Sequence, residues 1–205
     1  MSQSRNNLNE SPSQTAGPYV HIGCTPGFSG MAGVYSEDPG SRMVNPQTLG
    51  QRITIKGQVY DGLGAPLTDA LIEIWQADAA GLYASPEESR GRADPDFSGW
   101  GRSPGDMESG EFVFETIKPG IVPYPDGRPQ APHITFWIVA RGINIGLHTR
   151  LYFDDETAAN TVDPILSNIE DHQRVQTLIA TGESEGVFRF DIHLQGDDET
   201  VFFDM

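Results

Sequence analysis

Residues 51–60 read Gln-Arg-Ile-Thr-Ile-Lys-Gly-Gln-Val-Tyr, and this stretch gives the clearest strand signal in the chain. Alternate positions hold an apolar or small residue, namely Ile53, Ile55, Gly57 and Val59. This period of two places the alternating residues on one face of a β-strand. The run Asp-Gly-Leu-Gly-Ala-Pro at 61–66 has turn chemistry. The pattern therefore predicts a half-buried strand that ends in a turn.

Other short apolar runs extend the strand prediction along the chain. They lie at 70–76, 111–116, 133–141, 148–153, 187–195 and 200–203. Helical signals occur at 163–169 and 173–180, where Asp163 followed by Pro164 matches an N-cap and a first-turn proline. Short strands separated by Gly and Pro indicate a sandwich or barrel. We expect an all-β fold with long loops and one or two short helices.

The N-terminal quarter of the chain differs in composition from the rest. Residues 1–14 are rich in Ser, Asn and Gln, which predicts a disordered arm. Residues 15–50 carry repeated Gly and Pro and are predicted to form an irregular interface segment, because long connections without regular structure are usually functional. Residues 51–205 are expected to form the single folded domain.

Charge and cysteine content restrict the partners and the compartment. The 205 residues include 29 acidic and 13 basic side chains, for a formal charge of -16. Such a charge repels a phosphate backbone and an anionic membrane surface, so neither a nucleic acid nor a membrane partner is expected. Cys24 is the one cysteine and cannot form an internal disulfide. With no signal-like start after Met1, the sequence predicts a cytoplasmic protein.

A long run at 57–83, containing Ile-Trp-Gln-Ala at 74–77 and Gly-Leu-Tyr at 81–83, resembles the core signature of the intradiol ring-cleaving dioxygenases. Four further runs follow in the order of that family, at 97–102, 116–120, 123–125 and 131–136. The resemblance covers most of residues 50–205. It implies a β-sandwich whose chemistry lies on loops.

Catalytic members of this family hold Fe(III) with two tyrosines and two histidines, a set in which hard phenolate oxygens suit the ferric ion. The resemblance places these ligand positions at Tyr83, Tyr124, His133 and Thr135. Thr135 stands where the second histidine belongs, and Gln130 stands where the family has a catalytic arginine. A neutral hydroxyl is a poor substitute for imidazole. We expect vestigial positions, with no metal site and no catalytic residue in this chain.

Heteromeric members of the family combine an alpha-type chain that has lost the iron with a homologous beta chain that holds the Fe(III). Three runs resemble the alpha type, at 11–19, 136–156 and 199–204. The resemblance implies an alpha/beta hetero-oligomer that cleaves 3,4-dihydroxybenzoate with dioxygen to 3-carboxy-cis,cis-muconate. That reaction belongs to aromatic catabolism through the beta-ketoadipate pathway.

The same resemblance implies which residues touch the substrate. Thr15, Gly17 and Pro18 would line a cavity at the interface between the chains, and Arg141 would lie near the substrate carboxylate, which a guanidinium can pair bidentately. The alternatives are an ordinary turn that anchors the arm and a surface or interface salt bridge.

Two other functions remain open for the whole chain. One is a self-sufficient iron dioxygenase with unusual ligands, which Thr135 and Gln130 disfavour. The other is a non-catalytic β-sandwich that binds a partner, because a fold does not fix a function.

Overall fold

The structure, a computed structural model, describes residues 15–204. The predicted disordered arm at 1–14 lies outside the described residues. Within the described range the chain forms twelve strands. They are β1 (Arg52–Gly57), β2 (Val59–Tyr60), β3 (Leu71–Trp75), β4 (Trp100–Pro104), β5 (Phe112–Ile117), β6 (Val122–Pro123), β7 (Pro129–Gln130), β8 (His133–Val139), β9 (Leu147–Phe153), β10 (Ile179–Ser184), β11 (Val187–Arg189) and β12 (Ile192–His193).

Eight of these strands form one sheet in the order β4-β3-β8-β9-β10-β11-β1-β5. β10 joins the two halves of the sheet, because it pairs in parallel with β9 and antiparallel with β11. The halves fold over one another, so the Phe136 ring from β8 meets Phe112 and Phe114 from β5 at centroid distances of 5.9 and 6.3 Å. The predicted all-β sandwich is confirmed.

The alternation in β1 has the predicted consequence for burial. Ile53 and Ile55 are buried in the main core. Full burial of such a side chain contributes about 1.5–3 kcal/mol relative to leaving it exposed. Gly57 permits a close approach at the end of the strand, since a Cβ there would lie 1.8 Å from the carbonyl oxygen of Phe190. Any larger residue at 57 would force two strands apart.

Each of two predicted strands is divided into two shorter strands, and the two breaks lie next to each other in the fold. The stretch 51–60 divides into β1 and β2, and the stretch 187–195 divides into β11 and β12. The Gln58 N–H donates to the Asp191 side chain at 3.0 Å instead of to a backbone carbonyl. The Asp191 side chain thus replaces a backbone carbonyl as the acceptor, which interrupts the strand pairing at this point.

The prediction of a strand at 200–203 is wrong. The Thr200 N–H donates to the His193 carbonyl at 2.9 Å, and the Phe203 N–H donates to the His148 carbonyl at 2.8 Å. These bonds go to two different parts of the fold, so no continuous ladder forms.

The helices are few and short. The α-helices of the described range are α1 (Pro18–Cys24) and α2 (Thr157–Val162), and 3-10 turns cover Asp154–Glu156, Leu166–Asn168 and Arg174–Leu178. The segment predicted as helical at 173–180 is a 3-10 turn that leads into β10, and the segment at 163–169 contains another such turn. No helix in residues 15–204 has the length and apolar character needed to cross a bilayer.

Candidate functional site

The outer face of β8 and β9 gathers polar side chains that point away from the core. Register pairs place His133 opposite Tyr152 and Thr135 opposite Arg150. Because successive side chains alternate between faces, these four share one face, while Ile134 and its core-facing neighbours occupy the other. With Gln130 from β7 they form what we call the outer-face cluster.

A guanidinium lies among the groups of the outer-face cluster. Arg150 donates from Nη1 to the Gln130 Oε1 at 2.9 Å, and Gln130 donates from Nε2 to the Pro123 carbonyl at 3.3 Å. Gln130 is buried. The amide of Gln130 is therefore held on both sides, and its oxygen is committed to Arg150.

His133 is held as a neutral imidazole beside this guanidinium. Its Nδ1 is 2.7 Å from the Ala131 carbonyl, which only accepts, so Nδ1 carries the proton and Nε2 holds a lone pair. Burial, followed by the charge of Arg150, lowers the pKa of His133 from 6.5 to about 4. His133 is thus uncharged at neutral pH.

Asp163 supports the outer-face cluster from below. It is fully buried, and its carboxylate accepts the backbone N–H of Ala131 at 2.8 Å and of Ile165 and Leu166 at 2.8 and 3.0 Å. The bonds to 165 and 166 are those an N-cap makes. The Tyr152 hydroxyl lies 3.4 Å away. Burial, then the charge of Asp163, raises the pKa of the Tyr152 phenol, which stays protonated.

The loop after β3 positions Tyr83. The Asp78 carboxylate accepts the N–H groups of Ala80 and Leu82, both at 2.9 Å. Gly81 has φ +78°, and a Cβ there would lie 2.0 Å from the Ile121 carbonyl, so the turn requires glycine. Tyr83 then stacks on Trp75 with ring centroids 6.0 Å apart. Burial raises the pKa of Tyr83, and Arg150 partly opposes that rise.

Tyr124 is the remaining position that the resemblance assigns to a metal ligand. It sits in the turn between β6 and β7, where the Arg128 guanidinium lies 5.7 Å from its ring centroid. Among the described residues no hydrogen bond or ring contact joins it to Tyr83, His133 or Thr135. The neighbouring Pro123 carbonyl accepts from the Gln130 side chain at 3.3 Å, so this turn borders the outer-face cluster.

A second site lies at the start of the described chain, and we call it the N-terminal cleft. Its volume is about 380 Å³, and its walls are largely apolar. The lining includes Gly17, Pro18, His21, Asp69, Met107 and Arg141. Pro18 occupies the first turn of α1, where its fixed φ and missing N–H are tolerated.

Thr15 ties the N-terminal segment to the loop that carries Arg141. Its Oγ1 accepts the Gly142 N–H at 2.6 Å and donates to the Ala140 carbonyl at 3.2 Å. Gly142 and Ala140 flank Arg141 on either side. Thr15, Gly17, Pro18 and Arg141 therefore meet at one place on the surface.

Arg141 has a carboxylate neighbour within this chain. Its Nε is 3.2 Å from the Asp69 Oδ2, and 79% of the Arg141 side chain remains exposed to solvent. The backbone carbonyl of Asp69 is 3.0 Å from the His21 Nε2, so that nitrogen donates and Nδ1 is left as an acceptor. His21 Nδ1 is buried without a partner in the described part of the chain.

Comparisons with known proteins identify the family of the chain. A family model described as dioxygenase matches residues 25–196. A protocatechuate 3,4-dioxygenase alpha chain from Pseudomonas putida is 46% identical over 200 residues, covering 96% of this chain and 97% of that one. The chain belongs to the intradiol dioxygenase family.

Other members of the intradiol dioxygenase family extend the comparison. The protocatechuate 3,4-dioxygenase alpha chain of Burkholderia cepacia is 37% identical over 97% of this chain and 98% of its own. The beta chain from the same species is 35% identical, over 76% and 69%. The structure of 3-chlorocatechol 1,2-dioxygenase from Rhodococcus opacus 1CP superposes with a TM-score of 0.55 at 25% identity, covering 76% of this chain and 64% of that one.

The outer-face cluster does not fit the ferric ion that the intradiol dioxygenase family uses. Thr135 supplies a neutral hydroxyl, and the Arg150 guanidinium places a fixed positive charge beside His133. The donor set and the local charge both disfavour a trivalent cation.

Sequence reasoning missed Asp69, His21 and Arg150. Asp69 lies within the family-like run at 57–83, but nothing in its spacing points to the distant Arg141. Arg150 lies in a predicted strand, and its role depends on the register that sets it opposite Thr135. Only a prediction of how these two strands pair could have identified Arg150 from the sequence.

Proposed function

We propose that this chain is the alpha subunit of a protocatechuate 3,4-dioxygenase, an enzyme that performs intradiol cleavage of 3,4-dihydroxybenzoate to 3-carboxy-cis,cis-muconate. The observation that carries the proposal is the 46% identity to an alpha chain of that name along almost the full length of both proteins. Identity to the beta chain is lower and covers less of this chain.

A homologous beta chain is the proposed partner and the proposed holder of Fe(III). The misfit of the outer-face cluster to a ferric ion supports this assignment, since Thr135 stands where the resemblance places an imidazole ligand and Arg150 lies opposite it in register. Ring cleavage with dioxygen is assigned to the partner's ferric centre. This chain then contributes binding and orientation of the substrate.

The N-terminal cleft is the proposed contribution to the active site. Its volume of about 380 Å³ lies in the range of small-molecule sites. Apolar side chains such as Pro18 and Met107 suit the face of an aromatic ring, and Arg141 suits a carboxylate on that ring. In a chain with a charge of -16, a largely exposed guanidinium is a local attraction for an aromatic acid.

On substrate binding, the carboxylate of the substrate would replace the Asp69 carboxylate as the partner of Arg141. In this structure Asp69 pairs with Nε alone, at 3.2 Å. A substrate carboxylate can approach the fork of the guanidinium and form two parallel bonds, which adds orientation as well as energy. Thr15 holds the loop on both sides of Arg141, so the guanidinium is presented from a fixed backbone.

Oxygen uptake tests the proposal. The chain is assayed alone and after coexpression with a homologous beta chain, first with protocatechuate and then with catechol, which lacks the carboxylate. We expect uptake only in the coexpressed complex, with protocatechuate preferred. Turnover by the chain alone would indicate a self-sufficient dioxygenase. Failure to copurify with any beta homologue would favour a binding protein.

A further inference from the structure

The outer-face cluster is built around a positive charge that belongs to the chain itself. Arg150 pairs in register with Thr135, and Thr135 pairs on its other side with Trp75 in β3. The guanidinium therefore projects from the sheet beside the positions that the resemblance assigns to metal ligands. It is partly buried rather than extended into solvent.

The groups around this guanidinium are those that can accept hydrogen bonds or offset its charge. Gln130 Oε1 accepts at 2.9 Å, and the Tyr152 side chain lies on the same face of the sheet, two residues further along β9. The buried carboxylate of Asp163 lies 3.4 Å from the Tyr152 hydroxyl and supplies the opposite charge. His133 and Tyr83 are also close enough for the charge of Arg150 to act on them.

We propose that Arg150 replaces the metal ion in this chain: its guanidinium holds the outer-face cluster together and keeps Fe(III) out. The inference deepens the iron-free assignment above and rests on it for the identity of the vestigial positions. A guanidinium stays protonated under all ordinary conditions, so the exclusion does not depend on pH. Loss of the second histidine is then only half of the reason for the absence of iron.

The consequence is that restoring the histidine does not restore the site. Thr135→His adds an imidazole, but Arg150 still lies opposite that ligand position in register, whereas the arginine of catalytic members stands at the position of Gln130. Removal of that charge with Arg150→Gln must accompany the histidine. Gln removes the charge and, although it is shorter than Arg, keeps a polar side chain that can donate and accept hydrogen bonds.

Iron loading of four variants in the full chain tests the proposal. The variants are T135H, T135H/R150Q, T135H/R150K and T135H/R128Q, each exposed to Fe(III) and then freed of unbound metal. The bound iron is measured by elemental analysis and by the visible tyrosinate-to-iron absorption band. R150K keeps the charge at the site, and R128Q removes an exposed charge near Tyr124.

We expect T135H/R150Q to retain at least about tenfold more iron than T135H, because only this variant both adds the ligand and removes the cation. T135H/R150K and T135H/R128Q should remain as low as T135H. Equal iron in T135H and T135H/R150Q would overturn the inference. A folded T135H/R150Q that holds no iron would overturn it as well.

Thermal melting covers the case in which T135H/R150Q does not fold. In that case the melting temperatures of the single variants Arg150→Lys and Arg150→Gln test the proposal. If the charge of Arg150 holds the cluster together, the Lys variant should have the higher Tm. A higher Tm for the Gln variant would contradict the proposal. Bound iron in the unmodified chain would instead contradict the proposed function as an iron-free subunit. Failure of the variant series alone leaves that function intact.

Discussion

The N-terminal cleft and the outer-face cluster are each organised around one arginine, and they differ in what surrounds it. Arg141 is 79% exposed and meets a single carboxylate through one nitrogen. Arg150 is partly buried, and it donates from Nη1 to the side chain of the buried Gln130. A guanidinium that faces a cleft can bind a ligand, whereas one enclosed by side chains of its own chain can hold those side chains together.

The largest expected effect comes from breaking the support of the outer-face cluster. Asp163→Asn turns one carboxylate oxygen into an NH2 group that faces the N–H of either Ala131 or the 165–166 turn. An unpaired donor and a lost buried charge should lower the free energy of unfolding by about 3 kcal/mol, measured by urea denaturation.

Asp171→Asn is the matched control for that change. The Asp171 carboxylate also accepts a backbone N–H, from Gln173 at 3.0 Å, but it is exposed. Its loss should change stability by less than about 0.5 kcal/mol. If both variants lose the same stability, the buried carboxylate has no special role in the cluster.

The pH dependence of stability sharpens the description of the same cluster. The pKa of His133 is about 4 in the folded chain, against 6.5 as its ordinary value. Between these values the unfolded chain binds the extra proton, so stability rises with pH and is lost as the pH falls. The contribution is on the order of 3 kcal/mol, since each pKa unit corresponds to about 1.4 kcal/mol.

Urea denaturation at several pH values, compared with His133→Gln, isolates this contribution from that of the carboxylates. The unmodified chain should lose more stability than the variant on going from about pH 7 to pH 4. Parallel curves for the two proteins would show that His133 is not held neutral.

The N-terminal cleft is tested by Arg141→Ala in the coexpressed complex. Loss of a charge-assisted contact worth about 1.5–3 kcal/mol should raise the KM for protocatechuate about tenfold to a hundredfold. Iron content should not change. Arg42→Ala, which removes an exposed arginine paired with Glu37, is the control. An unaltered KM would remove Arg141 from the site.

The smallest effect is expected from Asp69. Asp69→Asn removes the carboxylate that competes for Arg141, and such partly exposed pairs are worth less than about 1 kcal/mol. The KM for protocatechuate should fall by about fivefold at most, and Asp69→Glu should leave it unchanged. A rise in KM for Asp69→Asn would mean that Asp69 positions the guanidinium instead of competing for it.

The parts of the fold that could be predicted from sequence are those governed by local alternation. β1, β3 and β8 carry regular apolar patterns and were predicted within a few residues. β4 was missed because it contains Gly101 and Pro104, which local propensity reads as breakers. A Cβ at Gly101 would lie 2.5 Å from the Met43 sulfur, so a larger residue there would displace the Met43 side chain.

The residues of the candidate site also fall into those that the sequence could indicate and those that it could not. Thr135 and Gln130 could be singled out because the resemblance fixes their places in a motif. The contacts between Arg150 and Gln130 and between Arg141 and Asp69 depend on strand register and loop packing, which one sequence does not reveal. The geometry of the N-terminal cleft also depends on loop packing and could not be predicted.

Iron stoichiometry tests the central claim most directly. Elemental analysis is made on the purified chain alone and on its complex with a homologous beta chain. The account predicts no bound iron in the chain alone and one iron per alpha/beta pair in the complex. Stoichiometric iron in the chain alone, or two irons per pair, would contradict it.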